Sequence, residues 1–194
     1  WAEAKRKQEQ SSAPVRIPFT HDQIRCAFQT VIDMCRLVID LKITDESPRA
    51  RETKARAYVL LGAAAIQMGR YDIVEQNMAE WRDRFELTED PAIPMRVRNL
   101  LIQKELWLKK RKGEYAAGLE IAEKQWLACE KEKPALRWME IEPLACVGLE
   151  LAALQIKTAQ PSPDELEKLS AWLNRFEIAP DRTGEIGQYL QEDP

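Results

Sequence analysis

Apolar residues recur along most of this chain at spacings of three and four, the periodicity of amphipathic helices. Strand-like alternation is missing, and the residue types that favour helix are abundant. The pattern predicts an all-α chain of about seven helices, antiparallel because the connections are short. The predicted helices span residues 20–43, 48–68, 71–87, 95–112, 115–131, 134–157 and 163–178.

Local start signals mark three of these helices. Thr20 and Gln23 have the spacing of a capping box, in which each side chain bonds the other residue's backbone N–H. Ser47 is expected to be an N-cap, with Pro48 at the first helical position. Ser162 begins a second capping-box pattern before the last helix. These signals fix where we expect the helices to begin.

The apolar stripes predict which side of each helix faces the core. The apolar stripe on the first helix is wide, which predicts that this helix is buried against two neighbouring helices. Its members are Ile24, Phe28, Val31, Cys35 and Val38, with Ala27, Met34 and Leu41 beside them and Ile32 and Ile39 further round. Trp81, Trp126 and Trp172 are predicted core residues, as are Leu166 and its neighbours in the last helix. Pro143 should kink the helix at 134–157 or split it.

Residues 55–81 carry the most specific motif. Leu61-Gly62 and small residues up to Ala65 precede a turn at Gly69-Arg70-Tyr71, and a second helix follows. This motif resembles a tetratricopeptide repeat, a 34-residue helix–turn–helix unit of a solenoid. A second, degraded copy repeats the turn at 112–115 and places Gly118 and Ala122 in the small-residue positions. A third is suggested by Leu144, Val147 and Gly148. The alternative is an unrelated antiparallel helical array.

The resemblance implies a concave surface lined by the first helix of each repeat. Arg56, Val59 and Ala63 fall on that face in the earlier repeat, and Gln103, Trp107 and Lys110 in the later one. We therefore expect a non-catalytic protein-interaction domain, a scaffold or adaptor, that binds a peptide or a partner helix there. One alternative is a ligand- or peptide-sensing regulatory module of a larger signalling or transcription protein. Another is a structural segment of an α-solenoid subunit in a multiprotein complex, whose hallmark would be exposed apolar surface at the first or last helix.

Charge and chemistry narrow the function classes. The net charge is −3 with both signs interspersed, so no nucleic-acid partner is expected. The basic run 109–112, with Arg96, Arg98 and Lys104, suggests an acidic peptide; alternatively, it only complements the helix dipole. His21, the single histidine, is expected to be solvated. The carboxylate pair Glu140 and Glu142 is expected to face solvent. We expect no enzymatic activity, no metal and no cofactor.

The remaining composition bears on compartment and boundaries. Cys26, Cys35, Cys129 and Cys146 form no C-x-x-C pair and fall in apolar helical patterns, which indicates small buried hydrophobes and a reducing, cytoplasmic compartment. No uncharged run is long enough to span a bilayer. The expected organisation is a linker or truncated helix end at 1–18, a helical domain at 19–178 and a polar tail at 179–194. Because the chain begins with Trp1, we expect it to be a fragment.

Overall fold

Six α-helices make up the part of the chain that the computed structural model describes, which is residues 20–41, 47–84, 86, 88–133, 138–158, 162–164, 166–167 and 170. None of these residues is in a strand, so the all-α prediction is confirmed. The helices are α1 (His21–Asp40), α2 (Pro48–Gln67), α3 (Tyr71–Ala79), α4 (Met95–Lys112), α5 (Tyr115–Glu132) and α6 (Trp138–Thr158). The predicted seventh helix lies mostly outside the described residues, although residues 163–164, 166–167 and 170 are helical.

The helices pack in a regular order. α1 packs on α2, α2 on α3 and α4, and α3 on α4. The same arrangement then recurs, because α4 packs on α5 and α6, and α5 packs on α6. One continuous core results, and its largest fully buried side chains include Tyr58, Leu61, Trp81, Leu101, Leu106, Leu144 and Leu151.

Two turns of the same geometry join α2 to α3 and α4 to α5. Gly69 and Gly113 have φ of +68° and +74°, the left-handed conformation that glycine adopts without steric cost. The N–H of the next residue donates to the carbonyl five residues earlier, at 2.8 Å from Arg70 and 2.9 Å from Glu114. Each glycine N–H donates to the carbonyl three residues earlier, so both turns are Schellman motifs.

The predicted start signals are present in α1 and α2. The Gln23 side chain accepts from the Thr20 N–H at 2.9 Å, and the Thr20 hydroxyl accepts from the Gln23 N–H at 3.2 Å. The Ser47 hydroxyl accepts from the Ala50 N–H at 3.3 Å, with Pro48 at the first helical position. Both N-caps are therefore confirmed.

Pro143 does not split α6, which is continuous from Trp138 to Thr158. Proline lacks the N–H that would bond the carbonyl four residues earlier, that of Met139. Arg96 of α4 supplies the missing donor, since its Nη1 lies 2.9 Å from that oxygen. The Arg96 side chain thus satisfies the backbone group that proline leaves free, and of the predicted kink or split, the split does not occur.

The predicted inward face of α1 is wrong in part. α1 buries Ile32, Cys35 and Ile39 and half-buries Phe28 and Val38. Among the described helices, α1 packs mainly on α2. We predicted that two neighbouring helices would cover the apolar face of α1, but only this one does so within the described residues. The predicted inward residues that are instead exposed are Ile24, Ala27, Val31, Met34 and Leu41, together with Cys26.

The second helix of the clear motif ends earlier than predicted. α3 stops at Ala79 and continues as a π-helical turn over Glu80–Arg84. Trp81 in this wider turn is 1% exposed, and Trp126 of α5 is 4% exposed, so both predictions of a core tryptophan are confirmed. Trp172 lies outside the described residues. Leu166 is 45% exposed, against the prediction that it is buried.

Candidate functional site

Three of the predicted groove residues lie along one face of α2. Arg56 is exposed, and its Nε donates to Glu52 of the same helix at 2.8 Å. Val59 and Ala63 are half-buried. Leu60 belongs to the same face and is 55% exposed, more than either of them. We did not predict Leu60, although its spacing of four from Arg56 is a signal that could have identified it.

The other three predicted residues lie along one face of α4. Gln103, Trp107 and Lys110 are half-buried at spacings of four and three. Trp107 packs against the core, and the Lys110 Nζ lies 4.7 Å from the centroid of its ring. That Nζ also forms an ion pair with Glu150 of α6 at 2.7 Å. The structure therefore brings Trp107 and Lys110 together and connects them to α6.

The faces of α2 and α4 meet at Gly62 and Lys104. A Cβ added at Gly62 would lie 3.2 Å from the Lys104 Cγ, so the glycine admits the lysine side chain between the helices. Burial lowers the pKa of Lys104, and its Nζ donates to the Gln103 Oε1 at 3.1 Å. No carboxylate of the described residues lies within ion-pair distance of it. Lys104 is thus a partly buried cation beside the predicted groove residues.

Most of the positive charge of α4 is already paired. Of its seven cationic residues, five form ion pairs with carboxylates within the described part of the chain. These pairs are Arg96–Glu142 (3.7 Å), Arg98–Glu132 (2.5 Å), Lys109–Glu114 (2.5 Å), Lys110–Glu150 (2.7 Å) and Lys112–Glu75 (2.5 Å). Arg111 instead lies 5.3 Å over the Tyr71 ring. Few free cations therefore remain to attract an acidic peptide.

A buried polar network connects α4 to α5 and α6. Asn99 is fully buried, its Nδ2 donates to the Glu140 carbonyl at 2.8 Å, and its Oδ1 accepts from Gln125 at 2.9 Å. Arg98 is buried beside it, and its Nε has no hydrogen-bond partner. We expected Arg98 to be part of a basic surface. The sequence pattern does not predict the burial of Arg98 and Asn99, because their hydrogen-bond partners lie more than 25 residues away along the chain.

Glu105 is a buried carboxylate at the junction of α4 with the π-helical turn. It pairs with Arg82, which is partly exposed. Burial raises the pKa of Glu105, and the neighbouring Arg82 and Lys109 charges oppose that rise. The pairing explains how a glutamate is accommodated in a buried position.

A cleft of about 390 Å³ opens beside this ion pair. Its floor includes Ile102 and Ile121, and its rim carries charges of both signs. The charged residues are Arg82, Asp83, Glu86, Glu89 and Lys124. Two cations facing three carboxylates give the cleft no dominant sign with which to select a charged ligand.

The remaining candidate groups are the single histidine and the carboxylate pair of α6. His21 is exposed in the first turn of α1, as expected. Glu140 and Glu142 do not simply face solvent, because both are half-buried and paired. The Glu140 carboxylate accepts from the Lys133 Nζ at 2.9 Å, and Glu142 pairs with Arg96. Glu140 and Glu142 thus form ion pairs that connect α6 to Lys133 and to α4.

Comparison with known proteins identified no relative of this chain. No protein-family model, no curated protein and no solved structure matches this chain. Among the described helices, none has both the length and the apolar character that crossing a bilayer requires.

Proposed function

We propose that this chain is a non-catalytic protein-interaction domain, built as a divergent tetratricopeptide-like solenoid that holds a peptide or a partner helix in a concave groove. The observation that carries the proposal is the recurrence of one packing unit. α2 and α3, then α4 and α5, are joined by turns of the same geometry, and the first helix of each unit packs on the first helix of the next. Such stacking is the basis of an extended binding surface in solenoids.

The groove we propose is the surface of α2 and α4 that carries the predicted residues. Its anchors are Leu60 and Trp107, because both leave apolar surface exposed to a partner. Aromatic side chains are enriched among the residues that dominate binding energy. Lys104 adds a cation without a described carboxylate partner, so a single acidic group in the ligand would find a place there.

One observation favours a second candidate, a structural segment of a larger helical assembly. The first described helix exposes a row of apolar side chains, which is the hallmark expected of that alternative. The two candidates use different faces of the molecule, so they can be tested separately.

Selection of displayed random peptides on the parent chain tests the groove. Peptides that bind should lose affinity roughly 30-fold or more toward Trp107→Ala and toward Leu60→Glu, which corresponds to about 2 kcal/mol for a central anchor. Leu127→Glu is the matched control, since Leu127 is a similarly exposed leucine on α5. Peptides that bind all four chains equally, or no enrichment at all, would argue against the groove.

A further inference from the structure

One face of α1, beside the face that packs on α2, carries an apolar seam. Its positions, which we call the outer seam, alternate at spacings of three and four, the heptad pattern of a helix that packs on another helix. They are Ile24, Ala27, Val31, Met34, Val38 and Leu41. Val38 is half-buried, and the other five are exposed. Apart from Ala27, the exposed fraction of these five ranges from 37% for Val31 to 58% for Leu41.

One flank of the outer seam carries no charged residue. Gln23, Thr30 and Leu37 lie along one flank, and Leu37 is 62% exposed. Charged residues make up 31% of the chain, yet none occurs among these nine positions. A solvated helix face normally carries charge. The neighbouring face of α1 packs on α2 through Ile32 and Ile39, and Val38 of the seam also packs against that core, whereas the other five seam residues are exposed.

We propose that the outer seam pairs with the outer seam of a second copy of this chain, antiparallel and about a two-fold axis. The seam is symmetric about the level between residues 32 and 33. Ile24 of one copy then lies opposite Leu41 of the other, Ala27 opposite Val38, and Val31 opposite Met34. Each side chain of the seam thus lies opposite a side chain of a different type. Every contact occurs twice, as a two-fold interface requires.

The antiparallel direction follows from side-chain volume. In a parallel pair, Ala27 would face Ala27 and leave a void, whereas the antiparallel pair places Val38 there. Antiparallel helices also place the positive end of each helix dipole beside the negative end of the other. The uncharged flank of Gln23, Thr30 and Leu37 places no like charges against each other in the antiparallel pair.

The size of the patch sets the expected affinity. Its exposed side chains present on the order of 450 Å² of apolar surface, within the range of the largest patches on monomeric proteins. Two copies together would bury roughly 1,000 Å² or slightly less, which is at the lower limit for a specific interface. We therefore expect a dimer that dissociates on dilution, with a Kd in the micromolar range.

Sedimentation velocity of the whole chain, from about 2 to 200 μM, tests this pairing. The parent should change from monomer to dimer across the range. Met34→Glu should weaken dimerisation at least tenfold, because it sets two carboxylates close to the two-fold axis. Leu127→Glu adds the same charge at a comparably exposed leucine of α5 and should behave as the parent does. Circular dichroism of each variant checks that α1 stays folded.

A spin label on Cys26 tests the direction. Cys26 is exposed, Cys35 and Cys129 are buried, and Cys146 is half-buried, so the label is directed to Cys26 in a Cys146→Ser background, with Cys26→Ser as the control. An antiparallel pair separates the two Cys26 positions by 13 residues along the helix axis, which is about 20 Å before the width of the pair is added. A parallel pair would bring them to within about 15 Å. A parent that stays monomeric, or a Met34→Glu variant that dimerises equally well, overturns the proposal; a short Cys26 distance overturns its antiparallel direction.

Discussion

Gly118→Ala should destabilise the fold because the space for a methyl group is already occupied. A Cβ built at Gly118 would lie 2.9 Å from the Leu151 Cδ1 and 3.2 Å from the Lys109 Cβ. Leu151 is fully buried in α6, and a Cβ is fixed to its backbone, so neither neighbour can move aside easily. Gly118 therefore lies where α5 meets both α4 and α6.

The magnitude follows from two opposed effects. Overpacking a well-packed core costs about 1–3 kcal/mol. Alanine is the better helix former, which returns at most about 1 kcal/mol. We therefore expect a net loss of roughly 1–2 kcal/mol of unfolding free energy, since Gly118 lies near the start of α5, where the helix preference is weaker.

Gly62→Ala is the matched control. A Cβ there meets the Lys104 Cγ at 3.2 Å, and Lys104 is a long side chain that can shift by a few tenths of an ångström. The helix preference should then dominate, and the variant should equal the parent or exceed it by up to about 1 kcal/mol. Gly62→Leu, by contrast, should overpack the junction of α2 and α4 and cost about 1–3 kcal/mol or more.

Urea unfolding followed by circular dichroism measures these differences, with midpoints converted through a common slope. Gly118→Ala should unfold at lower urea than the parent, and Gly62→Ala at the same or higher urea. The packing argument is refuted if Gly118→Ala is as stable as the parent, or if the two alanine variants fall in the reverse order.

Three further predictions concern buried and half-buried side chains. Trp107→Ala should cost about 1–3 kcal/mol, less than the roughly 3–5 kcal/mol of Trp81→Ala, because Trp107 is only half-buried; equal thermal midpoints would place Trp107 in the core. The folded chain binds a proton at Glu105 more tightly than the unfolded chain does, because its pKa is raised above the ordinary 4.5. The parent should therefore gain stability relative to Glu105→Gln as the pH falls from 7 toward that value, and a gain in the opposite direction would contradict the burial argument. Asn99→Ala should cost about 1–3 kcal/mol, and its effect should not add to that of Gln125→Ala, since the two share a hydrogen bond; additive losses in chemical denaturation would separate them.

Local signals predicted the helices well because their causes lie within a few residues. The Thr20 capping box and the Ser47 N-cap depend on side chains that reach backbone groups three residues away. The left-handed turns at Gly69 and Gly113 depend on one residue that tolerates positive φ. Helix starts, turns and the all-α class could therefore be predicted from the sequence.

The candidate site was predictable only in part. The resemblance implied that Gln103, Trp107 and Lys110 share one face of α4, and in the structure they lie at spacings of four and three on that helix. It could not predict that Lys110 pairs with Glu150, which is 40 residues away. The pairing of Lys112 with Glu75 was missed for the same reason, since Glu75 lies on another helix, 37 residues earlier.

Amphipathic pattern and capping chemistry by themselves determined that this chain forms helices, where most of them begin and which turns connect them. Only the tertiary structure decided which apolar faces are covered, because a stripe on α1 has the same period whether one neighbour or two pack against it. Tertiary packing also decided that Asn99 and Glu105 are buried, since a polar group is stable inside a protein only when distant residues supply its hydrogen bonds or opposite charge. It likewise kept α6 continuous through Pro143, because the donor for the freed Met139 carbonyl comes from Arg96 of another helix.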